Sequence, residues 1–254
     1  MRTVAVTNQK GGSGKTTTAV NLAAALAEQG TRVLVVDLDP QASASSWFGV
    51  RDDERRGVLD VLTGNAHLSD LASDTSVAGV SLVPGSAWLT SAESALAGEV
   101  GRETLLRQAL ATLPAKRWSV VLCDCPPSLG LLSLSALVAC REAFVPVEAH
   151  VMALAGLAGL WQTVERVQAR LNPELHVSGV LACRVDARTN LSREVVSKLR
   201  ERFGPLVLET VVRENVRLAE APSYHQPITV YAPDSPGAAD YRAVAREFLA
   251  LVKR

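Results

Sequence analysis

The segment Lys10-Gly11-Gly12-Ser13-Gly14-Lys15-Thr16-Thr17 constrains the chain more than any other. It stands directly after the apolar run Thr3–Thr7 and opens the helical pattern Lys15–Gln29 that ends at Gly30. Strand, glycine loop, lysine, hydroxyl residue and helix, in that order, is the arrangement that phosphate binding requires. Glycines let consecutive backbone N–H groups turn inward around phosphate oxygens, and the helix adds its positive end. Lys15 then reaches the β/γ-phosphates, and the Thr16 hydroxyl can ligate Mg²⁺. A glycine turn with no ligand would leave Lys15 and Thr16 without a reason for their places. Only five of the 26 basic residues are lysines, and two of them, Lys10 and Lys15, lie in this loop.

The rest of the chain agrees with a sheet built around that loop. Short valine- and leucine-rich runs suited to doubly buried strands recur at Thr3–Thr7, Arg32–Asp37, Val80–Val83, Ser119–Cys123, Ala143–Val147, Val177–Cys183 and Leu206–Val211. Helical patterns fill most gaps: Lys15–Gln29, Glu103–Leu113, Leu131–Cys140, Met152–Leu171, Asn190–Phe203 and Ala238–Val252. This alternation predicts an α/β fold: a doubly wound, mostly parallel sheet with helices on both faces and ligands beyond the carboxyl ends of the strands. With no repeat or linker, residues 1–254 read as one P-loop domain. Arg51–Ser94 is the least regular stretch, with short helices expected at Val58–Leu62 and Leu68–Leu71.

Composition excludes several classes. With 48% hydrophobic residues and 26 basic against 26 acidic side chains, the chain is neither disordered nor polybasic. Its longest apolar stretch, Val151–Trp161, is shorter than the roughly 18 residues of a membrane span. The amino terminus lacks a signal-peptide pattern, so a cytoplasmic location is expected. Cys123, Cys125, Cys140 and Cys183 have no zinc spacing and read as buried free thiols. Zero formal net charge means that any nucleic-acid binding must come from a local patch.

Two further segments complete a nucleotide site. Val35-Val36-Asp37-Leu38-Asp39-Pro40-Gln41 brings two carboxylates to the edge where phosphates would lie. Val120-Val121-Leu122-Cys123-Asp124 is an apolar strand ending in one carboxylate, from which Asp124 can hold Mg²⁺ through water.

A lysine preceding the glycines matches the deviant Walker A box, and here the sequence resembles the ParA/MinD family of ATPases. The resemblance implies ATP and Mg²⁺ as ligands, held by Lys10, Gly11, Gly12, Ser13, Gly14, Lys15, Thr16 and Thr17. It gives Lys10 a signature role, crossing to the phosphates held by the partner subunit of an ATP-sandwich dimer. Ser13 stands where valine is frequent in the family. By resemblance Asp39 orients the attacking water and Asp37 organises the metal shell with Thr16 and Asp124, so Lys10, Lys15 and Asp39 are the expected catalytic groups.

The resemblance continues through Asp186-Ala187-Arg188-Thr189-Asn190-Leu191, Asn215-Val216-Arg217-Leu218-Ala219-Glu220-Ala221-Pro222-Ser223 and Ser235-Pro236-Gly237-Ala238, which are similar to segments of the chromosomal ParA (Soj) group. It therefore implies DNA segregation, with a ParB-like centromere-binding partner, a nucleoid-associated location and no membrane. The first strand begins at Thr3, so the helix-turn-helix region of larger plasmid ParA proteins, and operator repression, are not expected. Arg188 and Arg217 match positions that contact DNA nonspecifically in Soj-like proteins and are expected on a surface apart from the phosphate loop. The segment Arg184–Arg217 holds eight basic and five acidic residues. On Asn190–Phe203, Leu191, Val195, Val196, Leu199 and Phe203 form an apolar arc that leaves Arg193 and Arg200 toward solvent. Asn215 is a candidate adenine contact, beside departures from the family at Arg184 and at Arg213-Glu214.

Alternative readings are a MinD-like membrane-surface ATPase, anchored by an amphipathic Tyr241–Arg254, and a ParA-like positioner of another cargo. An iron–sulfur electron donor would need suitably placed cysteines. All of these readings share the loop's chemistry, so Lys15→Ala is expected to abolish ATP binding, measured by equilibrium titration with a fluorescent ATP derivative.

Overall fold

The computed structural model describes residues 1–50, 56–150 and 153–251. Its seven strands are β1 (Arg2–Val6), β2 (Val33–Asp37), β3 (Ser73–Asp74), β4 (Val80–Val83), β5 (Val120–Asp124), β6 (Glu142–Glu148) and β7 (His176–Cys183). They form one sheet in the order β3-β4-β2-β5-β1-β6-β7. Every pairing is parallel except β3 with β4. The doubly wound, mostly parallel sheet expected from the strand and helix alternation is present.

Alternation along each strand divides the core in two. Val4 and Val6, Val33 and Val35, and Val120 and Leu122 face the helices Lys15–Glu28 and Pro236–Ala250, where Leu22, Leu26, Tyr241, Val244 and Phe248 are buried. Ala5, Leu34, Val36, Val121 and Cys123 face the opposite layer, which includes the helices Leu105–Ala111, Leu131–Ala139, Ala153–Arg170 and Asn190–Phe203. Both layers are needed because each central strand is apolar on both faces. All four cysteines are buried free thiols. Among the described residues no helix is long and apolar enough to cross a membrane.

The expected short helices Val58–Leu62 and Leu68–Leu71 form at those bounds. Residues 51–55, 151–152 and 252–254, included in expected segments, lie outside the described residues. The two-residue antiparallel β3 had no sequence signal, since both its residues are exposed. Leu191, expected in the apolar arc of its helix, is exposed, while Ser192 is buried.

The expected strand Leu206–Val211 does not form a ladder. Gly204–Leu206 is a 3-10 turn. Beyond it Leu208 N–H donates to the Val180 carbonyl and Val212 N–H to that of Ala182, both at 2.9 Å. Between them the Glu209 and Thr210 N–H groups turn away to the carboxylate of Glu247, at 2.7 and 3.0 Å. A side chain remote in sequence has taken the donors that a strand would have used.

Gly179 on β7 lies where a Cβ would sit 2.8 Å from Leu208 Cδ1 and 2.9 Å from Phe144 Cε2. Overpacking at such a site costs about 1–3 kcal/mol. Gly179→Ala is therefore expected to lower stability by that amount in urea denaturation, with the slope of the transition unchanged.

Candidate nucleotide site

The loop after β1 meets the ends of β2 and β5 because β5 lies between β1 and β2 in the sheet. Gly12 and Gly14 have φ of 73° and 91°, in the left-handed region that favours glycine. Gly14 precedes the helix Lys15–Glu28 and its carbonyl accepts from Thr18 N–H at 2.8 Å. A Cβ on Gly11 or Gly12 would meet nothing within 4 Å. The space beside them belongs to an open cleft of about 920 Å³ lined by Gly11, Gly12, Gly14, Lys15, Thr16, Thr17 and Asp39. Such a cradle of backbone facing empty volume suits a polyphosphate. Ser13 is buried and its hydroxyl has no hydrogen-bond partner among the described residues.

Lys15 is buried, and its ammonium donates to the Lys10 carbonyl at 3.1 Å. Burial lowers its pKa, opposed first by Asp124 and then by Cys125 and Asp39. Lys10 is not among the residues lining the cleft. Its ammonium instead pairs with Glu148 Oε2 at 2.7 Å.

The carboxylates differ in their surroundings. Asp37 and Asp124 are register partners at the ends of β2 and β5, both buried. Asp37 is fully engaged: Oδ2 accepts from the Ser45 N–H at 2.8 Å and hydroxyl at 2.7 Å, and Oδ1 from the Asp39 N–H. Burial nevertheless pushes its pKa up to about 6. Asp124 has no hydrogen-bond partner on either oxygen among the described residues. Burial, then the neighbouring Asp37, holds it well above the usual carboxylate range, against the Thr16 hydroxyl and Lys15. An orphaned buried carboxylate beside a threonine hydroxyl fits Mg²⁺, which Thr16 and Asp124 would hold; Asp37, expected with them in the metal shell, instead has both oxygens taken by Ser45 and the Asp39 N–H. Asp39 Oδ1 accepts the Gln41 N–H at 2.9 Å.

Ser45 and Gly85 were not singled out in the sequence. Gly85 N–H donates to the Ser45 hydroxyl, and a Cβ on Gly85 would lie 2.7 Å from the Asp37 carbonyl. No motif marks either residue; the sheet brings them to Asp37 from separate loops.

The far wall of the cleft is Cys183–Asp186 and Val212–Asn215, joined by Val185 N–H to the Val212 carbonyl and Glu214 N–H to that of Val185, both at 3.1 Å. Asn215 lines this wall and caps the helix Val216–Glu220, its Oδ1 accepting from Arg217 and Leu218. Arg213 is turned to Asp240, at 2.6 Å.

Arg188 also lines the cleft, which corrects the expectation that it serves a surface apart from the phosphate loop. The reason is topological: β7 ends at the same sheet edge as β1, β2 and β5. Arg188 is 88% exposed and pairs with Asp186, Nε to Oδ1 at 2.9 Å. Arg217 lies on the flanking helix and pairs with Glu220 at 3.1 Å. Arg193 and Arg200, expected toward solvent, are exposed but also line a second groove with Val196 and Glu209.

Because Asp124 is an uncompensated buried carboxyl, Asp124→Asn is expected to leave the ligand-free fold at least as stable while turnover falls on the order of 100-fold. Thermal unfolding with and without Mg²⁺ and ATP checks this: the Mg²⁺-dependent rise in Tm of the parent should vanish in the variant.

The AAA domain model (AAA_31) matches residues 1–177. The chain is 48% identical over 253 residues to the chromosome-partitioning ATPase Soj of Thermus thermophilus, covering 100% of this chain and 97% of that protein. It is 43% identical over 248 residues to the sporulation initiation inhibitor protein Soj of Bacillus subtilis, covering 97% and 98%. A crystal structure described as cobyrinic acid a,c-diamide synthase from Mycobacterium smegmatis, with bound ATP analog and magnesium, superposes with a TM-score of 0.87 at 36% identity, covering 100% of this chain and 96% of that one. A lysine ahead of the glycine cradle, an orphaned Asp124 beside Thr16 and full-length similarity to Soj lead to one conclusion: the chain belongs to the ParA/Soj family of P-loop ATPases.

Proposed function

We propose that this ATPase forms an ATP-dependent sandwich dimer that binds nonspecific double-stranded DNA and lets go when a ParB-like centromere-binding protein stimulates hydrolysis. Chromosome or plasmid segregation on the nucleoid, in the cytoplasm, is the process served. The observation that carries this reading is the position of Lys10. The cradle is complete without it, and its ammonium points to Glu148 rather than lining its own cleft. A second lysine idle toward its own site is suited to the phosphates of another subunit.

In hydrolysis, Lys15 and the loop N–H groups bind the β/γ-phosphates, and Lys10 of the partner subunit adds positive charge as the γ-phosphoryl group leaves. Bound Mg²⁺ neutralises phosphate charge. Asp39 uses Oδ1 to hold the Gln41 N–H, which leaves Oδ2 to orient the attacking water. Dimerisation presents Arg188 and Arg217 twice, so a chain of zero formal charge gains a cationic stripe. The helix Pro236–Ala250 has Tyr241, Val244 and Phe248 packed into the core, which counts against its apolar side being a membrane anchor.

Asp39→Ala is expected to dimerise with ATP but turn over poorly, and Lys10→Ala to bind ATP as a monomer; light scattering after gel filtration separates them. Concentration-independent turnover, equal in the Lys10 variant and the parent, would sink the dimer.

For DNA, Arg217→Ala in the Asp39→Ala background should lower the slope of log K against log[salt] by about 2 per dimer, alike on two unrelated duplexes. Fluorescence anisotropy measures it; an unchanged slope and affinity would move the DNA contact elsewhere. Arg188→Ala should lower the slope equally and also alter ATP affinity, since Arg188 lines the cleft.

A further inference from the structure

Lys10 is held at both its backbone and its ammonium. Its backbone N–H donates to Asn8 Oδ1 at 3.1 Å, and Asn8 Nδ2 in turn donates to the Pro146 carbonyl on β6 at 2.8 Å. At the end of that strand Glu148 takes the ammonium on Oε2 and the Arg184 guanidinium on Oε1, at 2.7 and 3.0 Å. Glu148 is the most enclosed of the three, with 20% of its side chain exposed against 35% for Lys10 and 58% for Arg184. Arg184 directly follows β7, which pairs with β6 in a register that sets Glu148 against Cys183. It adopts φ 53°, a left-handed conformation uncommon for a residue with a side chain, and it lines the nucleotide cleft.

We propose that Glu148 and Arg184 are positioning residues for Lys10: Glu148 keeps the ammonium on its own subunit, and Arg184, from the cleft wall, sets how firmly it is kept. The proposal rests on the sandwich-dimer reading, in which Lys10 must leave Glu148 to reach the partner's phosphates. When it leaves, Glu148 keeps one cation rather than becoming an unpaired, half-buried carboxylate. Arg184 also repels Lys10 and shares the charge of Glu148, so its presence favours release. The two side chains therefore act in opposite directions on dimerisation. Neutralising Glu148 frees Lys10, whereas removing Arg184 leaves more of the carboxylate charge to Lys10. A partly exposed pair of this kind is worth about threefold in an equilibrium constant, and two lysines are released per dimer, so about tenfold in the dimer Kd is expected.

The test is sedimentation equilibrium at saturating ATP and Mg²⁺ in the Asp39→Ala background. Glu148→Gln should lower the dimer Kd about tenfold, Arg184→Met should raise it about tenfold, and Arg184→Lys should restore the parent value. Shifts in the same direction, or none, would overturn the proposal while Lys10→Ala, staying monomeric, upholds the sandwich dimer. A parent that stays monomeric at every concentration would overturn the sandwich reading itself. Should Glu148→Gln fail to fold, the exposed Arg184→Met and its lysine rescue decide the matter alone.

Discussion

A carboxyl group shut off from water at the end of a central strand, with no hydrogen bond from the described protein, is what the site is arranged around. Asp124 sits between the ends of β1 and β2, opposite Asp37 in register and near Lys15 and Thr16. Burial without a partner disfavours the charged form and holds its pKa well above the usual range, and strands apolar on both faces keep the group in place. Two filled core layers supply that rigidity. The strand end cannot relax toward water, and a cation with its attached phosphates is the species that would relieve it.

Asp37 illustrates the opposite arrangement. It is as buried as Asp124, yet both oxygens are taken by Ser45 and by the backbone of Asp39. The close approach of Gly85 closes that side of the site. Of two neighbouring carboxyl groups, one therefore has both oxygens engaged within the protein and the other has neither engaged among the described residues.

The cleft also joins parts of the chain that the loop alone does not connect. Asp186 lines it and holds Arg188 in a two-point ion pair. Whatever occupies the cleft and whatever draws on Arg188 therefore meet at one carboxylate. Arg184 stands in the same wall and reaches Lys10 through Glu148. The wall is stiff where Val185 and Val212 are bonded backbone to backbone, so charge rearrangement within it falls to the side chains.

Local order in the sequence determined the strand-loop-helix cradle, the strand-ending carboxylates Asp37 and Asp124, the parallel α/β sheet and the buried cysteines. Each depends on neighbours within a few residues: glycine where φ is positive, apolar runs that must be covered on both faces, a helix start beside a lysine and a hydroxyl. Tertiary structure alone decided which contacts those residues make. Glu247 drew the Glu209 and Thr210 N–H groups out of an expected strand, Ser45 occupied Asp37, Glu148 captured Lys10, and β7 carried Arg188 to the rim of the phosphate cleft. These partners are brought together by sheet order and loop closure. Hydrogen bonds and ion pairs between them depend on distances of a few ångströms, which spacing along the chain does not encode.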